Sequence, residues 1–203
     1  ITKIGKSAFE GDYGFTTLTI PATVIAIGTD AFKGMYKAKE GSTPAKGLTT
    51  LVINGANNTY SGTDLTNSDI PAAFSGNELL SSVTVGSTTA TGIAESAFAD
   101  AALTVIDLSA AAELATIGSD AFPTGCKLTT VKLYGTKLTD ASPEADKICT
   151  IDLSGAKATL ATLTFPAEYA TLAKMQFKNF VALTAIDLSV TKVTSIPVFI
   201  FFR

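Results

Sequence analysis

The chain has 203 residues, 46% hydrophobic and 16% charged, which is enough to bury a substantial core in one elongated domain or two compact ones. Its formal net charge of -3 offers no basic surface to nucleic acid or to an anionic membrane. The chain contains no His and its only Arg is Arg203, so the usual general base and the usual phosphate clamp are missing, which argues against most hydrolytic and phosphoryl-transfer chemistry.

Two further exclusions concern membranes and disulfides. No apolar run approaches the roughly 20 residues of a membrane-spanning helix. Cys126 and Cys149 are too few for a disulfide framework, and they sit about three strand positions out of register, or about 10 Å apart along the strand direction. Because that exceeds the roughly 7 Å limit for a bridge, we expect two separate thiols.

A phrase of the form Ile-Gly-x-x-Ala-Phe recurs along the chain. Full copies begin at Ile4, Ile27 and Ile117. Looser or shortened copies occupy residues 70–74, 93–98, 172–177 and 196–201. A phrase repeated at this length indicates a solenoid, in which each coil buries its apolar side against its neighbours.

A second phrase, Leu-x-x-Leu-x-Leu, alternates with the first. Its last three residues alternate in-out-in, which predicts a short half-buried strand and, with one strand per coil, a parallel sheet along one side of the solenoid. In chain order its apolar positions are Phe15/Leu18/Ile20, Leu48/Leu51/Ile53, Leu80/Val83/Val85, Leu103/Ile106/Leu108, Leu128/Val131/Leu133, Ile148/Ile151/Leu153 and Leu183/Ile186/Leu188.

The Ala-Phe phrase predicts a short helical or 3₁₀ turn opposite the sheet. Pro71 and Pro197 replace its Gly in two copies, so the backbone there has negative φ and the Gly is favoured for its small size. The residues predicted to cap the turn through a hydroxyl or carboxylate are Ser7, Asp30, Ser96 and Asp120. The glycines predicted to end the turn are Gly11, Gly34 and Gly76.

The repeat is interrupted three times. Two insertions fall near residues 35–47, rich in Lys, and near residues 54–69, rich in Asn, Gly, Ser and Thr. The coil near residues 134–165 is degenerate, and strand phrases at Ile151 and Leu163 stand only 12 apart, which leaves the register there open. Because repeats run from end to end, residues 1–203 are expected to form a single domain.

The gap-free run from Leu18 to Gly34, Leu-Thr-Ile-Pro-Ala-Thr-Val-Ile-Ala-Ile-Gly-Thr-Asp-Ala-Phe-Lys-Gly, resembles the bacterial surface leucine-rich repeats of the BspA type. Their consensus runs roughly Leu-x-x-Ile-x-Ile-Pro-x-x-Val-x-x-Ile-Gly-x-x-Ala-Phe-x-Gly-Cys, and this chain lacks the final Cys. The resemblance implies a right-handed leucine-rich-repeat solenoid. It also implies an extracellular or cell-surface protein used in adhesion or binding, and it supplies no catalytic residues.

The outward strand positions are expected to form two parallel rows, with one residue of each row per coil. Solenoids commonly bind ligands on such a face, but Thr is also simply a good exposed strand residue, so both interpretations stand. The first row is Thr17, Thr50, Ser82, Val105, Thr130, Thr150 and Ala185. The second row is Thr19, Val52, Thr84, Asp107, Lys132, Asp152 and Asp187.

Three acids of the second row share the phrase Ile-Asp-Leu-Ser. A residue that recurs in this way behaves as a structural repeat position, so catalysis or metal binding is the less favoured interpretation of Asp107, Asp152 and Asp187. We expect no cofactor. Successive coils lie about 4.8 Å apart, so Asp107, Lys132 and Asp152 are predicted to form a charge ladder.

Two loops are further candidates for ligand contact. Residues 54–69 carry Tyr60, and loops on a rigid scaffold often carry function, although a solvated decoration is equally compatible with this composition. Residues 35–47 carry Tyr36, Lys37, Lys39 and Lys46 and suit either a protein contact or a solvated loop.

The sequence leaves three functions open: a surface module that binds a protein or glycan, a structural spacer, and an enzyme that uses Asp and Lys only. The first is favoured. Residues 196–202 are apolar and stop in mid-repeat, so we expect a covered C-terminal face, either in a longer array of repeats or under a partner copy or the chain's own tail.

Overall fold

The computed structural model describes residues 1–55, 70–87, 89–111, 113–114, 116–117, 121, 128–132, 158–164, 181–189 and 194. Short β-strands are the regular elements of this part of the chain. They are β1 (Lys3–Ile4), β2 (Thr17–Ile20), β3 (Ala26–Ile27), β4 (Tyr36–Lys37), β5 (Lys46–Gly47), β6 (Thr50–Ile53), β7 (Ser82–Val85), β8 (Gly92–Ile93), β9 (Val105–Asp107), β10 (Thr116–Ile117), β11 (Thr130–Lys132), β12 (Thr162–Thr164) and β13 (Ala185–Asp187).

Seven of these strands form one parallel sheet, in the order β2, β6, β7, β9, β11, β12, β13. Apart from β12, they are the strands expected from the Leu-x-x-Leu-x-Leu phrase, and they cross the sheet in chain order. Smaller parallel pairs, β1 with β3 and β8 with β10, lie where each coil enters the Ile-Gly phrase. This arrangement confirms the predicted leucine-rich-repeat solenoid.

The core lies between the sheet and the Ala-Phe segments. At the central inward position of successive strands, the side chains are fully buried at Leu51, Val83, Ile106, Val131 and Leu163. Opposite them the Ala and Phe of the other phrase are buried, as at Ala31 and Phe32. Each coil therefore completes its apolar interior only through its neighbours, as the repeat predicts.

Four phenylalanines form a stack along the solenoid. Ring centroids are 5.3 Å apart between Phe9 and Phe32, 5.3 Å between Phe32 and Phe74, and 5.8 Å between Phe74 and Phe98. The first two pairs are nearly parallel, with interplanar angles of 2° and 4°. The stack extends the repeat of the backbone into the side chains, because one ring per coil must fill the same space.

The Ala-Phe segments are runs of consecutive turns, and no helix occurs in the residues described. The helical prediction is wrong here because alternate backbone N–H groups are used between coils. Phe9 N–H donates to the carbonyl of Ala31 at 2.8 Å, and Phe32 N–H donates to that of Ala73 at 3.0 Å. An N–H group that is committed to the neighbouring coil cannot close a helical turn within its own coil.

The predicted capping residues have a conformational role instead. Ser7, Asp30 and Ser96 have left-handed φ values of 53°, 56° and 54°, which redirect the chain between two successive turns. The Asp30 carboxylate pairs with Lys33 Nζ at 3.3 Å. Asp120 lies outside that part of the chain.

The predicted roles of the glycines are confirmed. Gly11, Gly34 and Gly76 have φ of 73°, 61° and 73°, the left-handed conformation expected at the end of the turn. Gly28, in the Ile-Gly phrase, has no such requirement, but a Cβ there would collide with the backbone nitrogen of Lys6. Small size is therefore what that position demands.

The first coil departs from the inward assignment. Phe9 and Phe15 retain 39% and 41% of their accessible surface, whereas Phe32, one coil further, retains 1%. The difference arises because Phe32 is covered by a coil on each side and Phe9 by a coil on one side only, within the described residues. Phe122, both cysteines and residues 196–202 lie outside the described part.

Phe32→Ala should lower the free energy of unfolding by about 3–5 kcal/mol, because it removes the middle of the aromatic stack and leaves a cavity. Thr50→Ala, on the outward side of the sheet, should cost less than about 1 kcal/mol. Urea unfolding followed by circular dichroism measures both. Equal losses would contradict the assignment of inward and outward positions.

Gly28→Ala should destabilise the fold by about 1–3 kcal/mol, the usual cost of overpacking, because the new methyl group meets the backbone of Lys6. Gly5→Ala is the matched control, since Gly5 holds the same place in the first coil but has open space around its Cβ position. Thermal unfolding of both variants checks the contrast. A Gly5→Ala loss as large as that of Gly28→Ala would disprove the steric explanation.

Candidate binding face on the parallel sheet

The outward side chains of the sheet form two rows, which agree with the prediction except on β12 and which we call the first and second face rows. The pairing is in register along the whole sheet. The first face row is Thr17, Thr50, Ser82, Val105, Thr130, Thr162 and Ala185. The second face row is Thr19, Val52, Thr84, Asp107, Lys132, Thr164 and Asp187.

Most of the face consists of small side chains that are half-buried by their neighbours. In β6, β7, β9, β11 and β12 the outward residues are of intermediate exposure, whereas those of the end strands β2 and β13 are exposed. The proposed positions Thr50, Ser82, Thr84 and Thr130 thus share one surface of β-branched and hydroxyl side chains. Such a surface offers hydrogen-bonding groups to a ligand.

One ion pair interrupts this neutral surface. Lys132 Nζ lies 2.7 Å from Asp107 Oδ2 across the β9–β11 pair, so the first two members of the predicted charge ladder are adjacent as expected. Asp107 also accepts hydrogen bonds at Oδ1, from the Ser109 hydroxyl at 2.6 Å and the Ser109 N–H at 3.0 Å. Both carboxylate oxygens therefore have partners in the protein.

The third member of the ladder is wrong. Strand β11 bonds to β9 on one side and to β12 on the other, so the residues beside Lys132 are Asp107 and Thr164. Thr164 takes the place predicted for Asp152, and Thr162 takes the place predicted for Thr150. Asp152 and Thr150 themselves lie outside the described residues, as does Tyr60.

The Ile-Asp-Leu-Ser phrase forms a local turn. At Asp187 the bonds from Ser189 repeat those at Asp107, with distances of 2.6 Å to the hydroxyl and 2.9 Å to the N–H. An aspartate that bonds to the chain two residues later stabilises a turn. The structural interpretation of these two acids is therefore supported over a catalytic one.

The electrostatic environment differs between the two acids. Partial burial alone would raise the pKa of Asp107, but hydrogen bonds from Lys132 and Ser109 outweigh it and hold the pKa below its usual value. The pKa of Asp187 is lowered by the bonds from Ser189. Both side chains are thus held ionised, which suits a fixed surface charge better than proton transfer at neutral pH.

A ladder of hydroxyls borders the face, and the sequence analysis did not anticipate it. The residue before β6, β7, β9, β11 and β13 donates its hydroxyl to the carbonyl of the corresponding residue on the preceding strand of the sheet. Pairs of this kind are Thr49 to Thr16, Ser81 to Thr49, Thr104 to Ser81, Thr129 to Thr104 and Thr184 to Ala161, at 2.9–3.3 Å. The sequence feature that corresponds to this ladder is a Ser or Thr directly after the first Leu of the strand phrase.

The first insertion is an ordered hairpin of β4 and β5, anchored by the fully buried Met35. Lys37 Nζ lies 5.6 Å from the centroid of the Tyr13 ring and 3.3 Å from Glu40 Oε2. Desolvation raises the pKa of Tyr36, and the charge of Glu78 with its hydrogen bond raises it further. The hairpin therefore contacts the first coil through Tyr13 and the third coil through Glu78. It contributes no residue to the face rows.

No cluster of three or more acidic, His or Cys side chains suited to a metal ion occurs among the described residues. No helix in that part of the chain is long and apolar enough to cross a membrane. The described face offers hydroxyl groups, the ion pair of Asp107 and Lys132, and the exposed Asp187, which are groups that recognise a ligand through hydrogen bonds.

Similarity to known proteins is concentrated in one family. The model of the BspA type leucine rich repeat region matches the chain in 6 copies, over residues 2–72 and 56–155. A solved structure of a leucine rich cell surface protein from Faecalibacterium prausnitzii aligns at 19% identity with a TM-score of 0.29, covering 92% of this chain and 64% of that one. The chain thus spans less than two thirds of that protein. No curated protein sequence matches the chain.

Asp107→Asn should remove a small, pH-dependent part of the stability. Because the folded-state pKa of Asp107 is lowered, its ionised form stabilises the fold above the ordinary pKa of about 3.9, and this contribution is lost as pH falls through the folded pKa. We expect a cost of about 0.2–1 kcal/mol at neutral pH and a smaller one below about pH 4, from urea unfolding.

Asp187→Asn is the control, since Asp187 has the same serine bonds and no lysine partner among the described residues. Added salt should weaken the effect of the Asp107 substitution more than that of the control, because salt screens the bond to Lys132. An identical response of both variants to salt would show that the ion pair contributes nothing.

Proposed function

Because the chain belongs to the BspA-type leucine-rich-repeat family, we propose that it is a non-catalytic module of the cell surface or extracellular space. Its role is to bind a protein or glycan through the face rows of the seven-stranded sheet. The surface location rests on the family, since the resemblance implies a secreted or surface-anchored protein. The observation that carries the binding role is the continuity of this face across the sheet.

The geometry supports binding to an extended ligand. Seven parallel strands in register repeat the same outward positions at intervals of about 4.8 Å, so a long ligand meets similar groups coil after coil. The half-buried hydroxyls at Ser82, Thr84 and Thr130 are already fixed by strand geometry and lose little entropy on binding. The ion pair at Asp107 and Lys132 supplies a local polar feature for orientation.

A structural spacer is the second candidate, and one observation favours it. Asp107 and Asp187 bond to serines of their own turns, and the residues before the strands donate to backbone carbonyls. Polar groups used in this way maintain the solenoid and are less available to a ligand. The spacer function predicts that no ligand binds to the face.

The experiment is a binding screen of the immobilised 203-residue chain against glycans and extracellular proteins. For any ligand found, Thr84→Arg should weaken binding by about tenfold or more, because it places a large charged side chain at the centre of the face. Glu95→Arg, an exposed position in the Ala-Phe layer, is the matched control and should leave affinity unchanged.

A variant that lacks residues 54–69 distinguishes binding by the face from binding by the second insertion. Loss of binding on this deletion, together with full binding by Thr84→Arg, would move the site to the insertion. The absence of any ligand in a broad screen, with the chain shown to be folded, would favour the spacer.

A further inference from the structure

The dipeptide that follows strand β6 has a sequence that favours a reaction of the chain with itself. Asn54 is followed by Gly55, and no other Asn of the sequence is followed by Gly. Because glycine has no side chain, its backbone nitrogen can approach the side-chain amide carbon of the residue before it with little steric hindrance. An asparagine in this context closes a five-membered ring onto the backbone more readily than one before a larger residue.

The packing of the coils requires the glycine of this pair. Gly55 is buried, and a Cβ at this position would collide with the carbonyl oxygens of Pro21 and Val24 in the preceding coil. Both obstacles are backbone atoms, which cannot move aside by changing a rotamer as a side chain can. The fold therefore keeps a glycine directly after Asn54.

The side chain of Asn54 reaches the following coil. Gly86 follows β7 as Asn54 follows β6, and a Cβ at Gly86 would collide with Asn54 Oδ1. The amide thus occupies the space that a side chain at position 86 would fill. Asn54 is half-buried, so water reaches it from the surface.

The backbone beside Asn54 is bonded to a coil on each side. Asn54 N–H donates to the carbonyl of Ile20 at 2.9 Å, and the carbonyl of Ile53 accepts from Gly86 N–H at 2.8 Å. For a ring to close, Asn54 Cγ must leave its place against Gly86 and meet the nitrogen of Gly55, which is itself held by packing. The reaction therefore needs a local opening of the stacked coils.

We propose that Asn54 is a site of spontaneous deamidation and that the stacking of the neighbouring coils controls its rate. The nitrogen of Gly55 attacks Asn54 Cγ and forms a new C–N bond. The bond from Cγ to the side-chain nitrogen breaks, and this nitrogen leaves as ammonia with the proton of the Gly55 N–H. Water then opens the ring at either carbonyl, which gives aspartate or isoaspartate at position 54.

The two products affect the coil differently. Aspartate leaves the main chain unchanged and adds a negative charge beside Gly86. Isoaspartate adds one carbon to the main chain between residues 54 and 55, so the hydrogen bond to Ile20 and the packed position of Gly55 cannot both be kept. Isoaspartate should therefore loosen the coil at the start of residues 54–69, the second insertion.

The first test compares deamidation of the 203-residue chain when it is folded and when it is unfolded in guanidinium chloride, both in mildly alkaline buffer. Mass spectrometry of the digested chain measures the conversion of Asn54. We expect it to be slower in the folded chain by about tenfold or more, because the coils must open first. No conversion of Asn54 in the unfolded chain overturns the site, and equal rates in both states overturn the control by stacking.

The second test asks whether the following coil holds the amide in place. Gly86→Ala adds a methyl group where Asn54 Oδ1 lies, so Asn54 in the folded variant should deamidate faster than in the unchanged chain. Gly5→Ala is the matched control, since Gly5 has open space around its Cβ position, and it should leave the rate unchanged. Circular dichroism shows whether each variant is folded, and the first test does not depend on either. A folded Gly86→Ala chain that deamidates no faster than the control overturns the role of this coil.

The third test separates the lengthened main chain from the added charge. Asn54→Asp carries the charge without the extra carbon, so it is the reference for a chain aged until Asn54 has converted. Hydrogen exchange at the N–H groups of residue 54 and Gly86 reports the bonds between coils. We expect faster exchange in the aged chain than in Asn54→Asp. Equal exchange in the two would overturn the loosening of the coil by isoaspartate.

Discussion

Each coil of this protein must place the same backbone groups opposite those of the next coil, and this constraint governs the rest of the structure. In the sheet, N–H groups of one coil donate to carbonyls of the coil before it, as from Thr50 to Thr16. In the Ala-Phe layer the direction is reversed, as from Phe32 to Ala73. Both layers are hydrogen-bonded between coils. A side chain that lies between two coils must therefore be small enough to keep these bonds aligned. The requirement explains why Gly28 has no room for a side chain.

The same constraint determines how polar groups are used. A hydroxyl before a strand shares the carbonyl that already accepts backbone bonds, so Thr49 adds a third donor to Thr16 without disturbing the ladder. Asn77 is fully buried and donates from Nδ2 to the carbonyls of Phe32 and Phe74, at 3.0 Å and 2.6 Å. It follows Gly76, where the family consensus has Cys. A buried amide there links two coils, while its Oδ1 makes no hydrogen bond.

Stacking also limits what the protein offers to a partner. Inward positions are fixed by packing, so variation is confined to the outward rows, to the insertions and to the ends of the solenoid. The hairpin at residues 36–47 is one such variation, and its contacts through Lys37 to Tyr13 show that an insertion can be held by the coils beside it. The ends differ from the interior for a single reason: their hydrogen bonds and apolar surfaces have a neighbour on one side only within the described residues.

The sequence alone was sufficient to predict the structure of the repeat, because the residues that define each repeat are close together along the chain. The in-out alternation of β6 and β7, the left-handed turn at Gly34 and the need for a small residue at Gly28 all follow from local spacing. Local spacing also placed Lys132 one coil after Asp107. The candidate face was therefore predictable wherever one coil follows another without interruption.

Three features were decided only by the tertiary structure. The strand phrases at Ile151 and Leu163 are equally good candidates for the strand after β11 when judged by local pattern. Only the pairing of β11 with β12 shows that Thr162 and Thr164 belong to the face. The Ala-Phe segments have a composition that suits a helical turn, but hydrogen bonds to the next coil, such as the one from Phe9 to Ala31, exclude it. The exposure of Phe9 depends on whether a coil lies on each side, which its own sequence neighbours do not record. Sequence determined the coil, and contacts between coils decided its register, its turns and its ends.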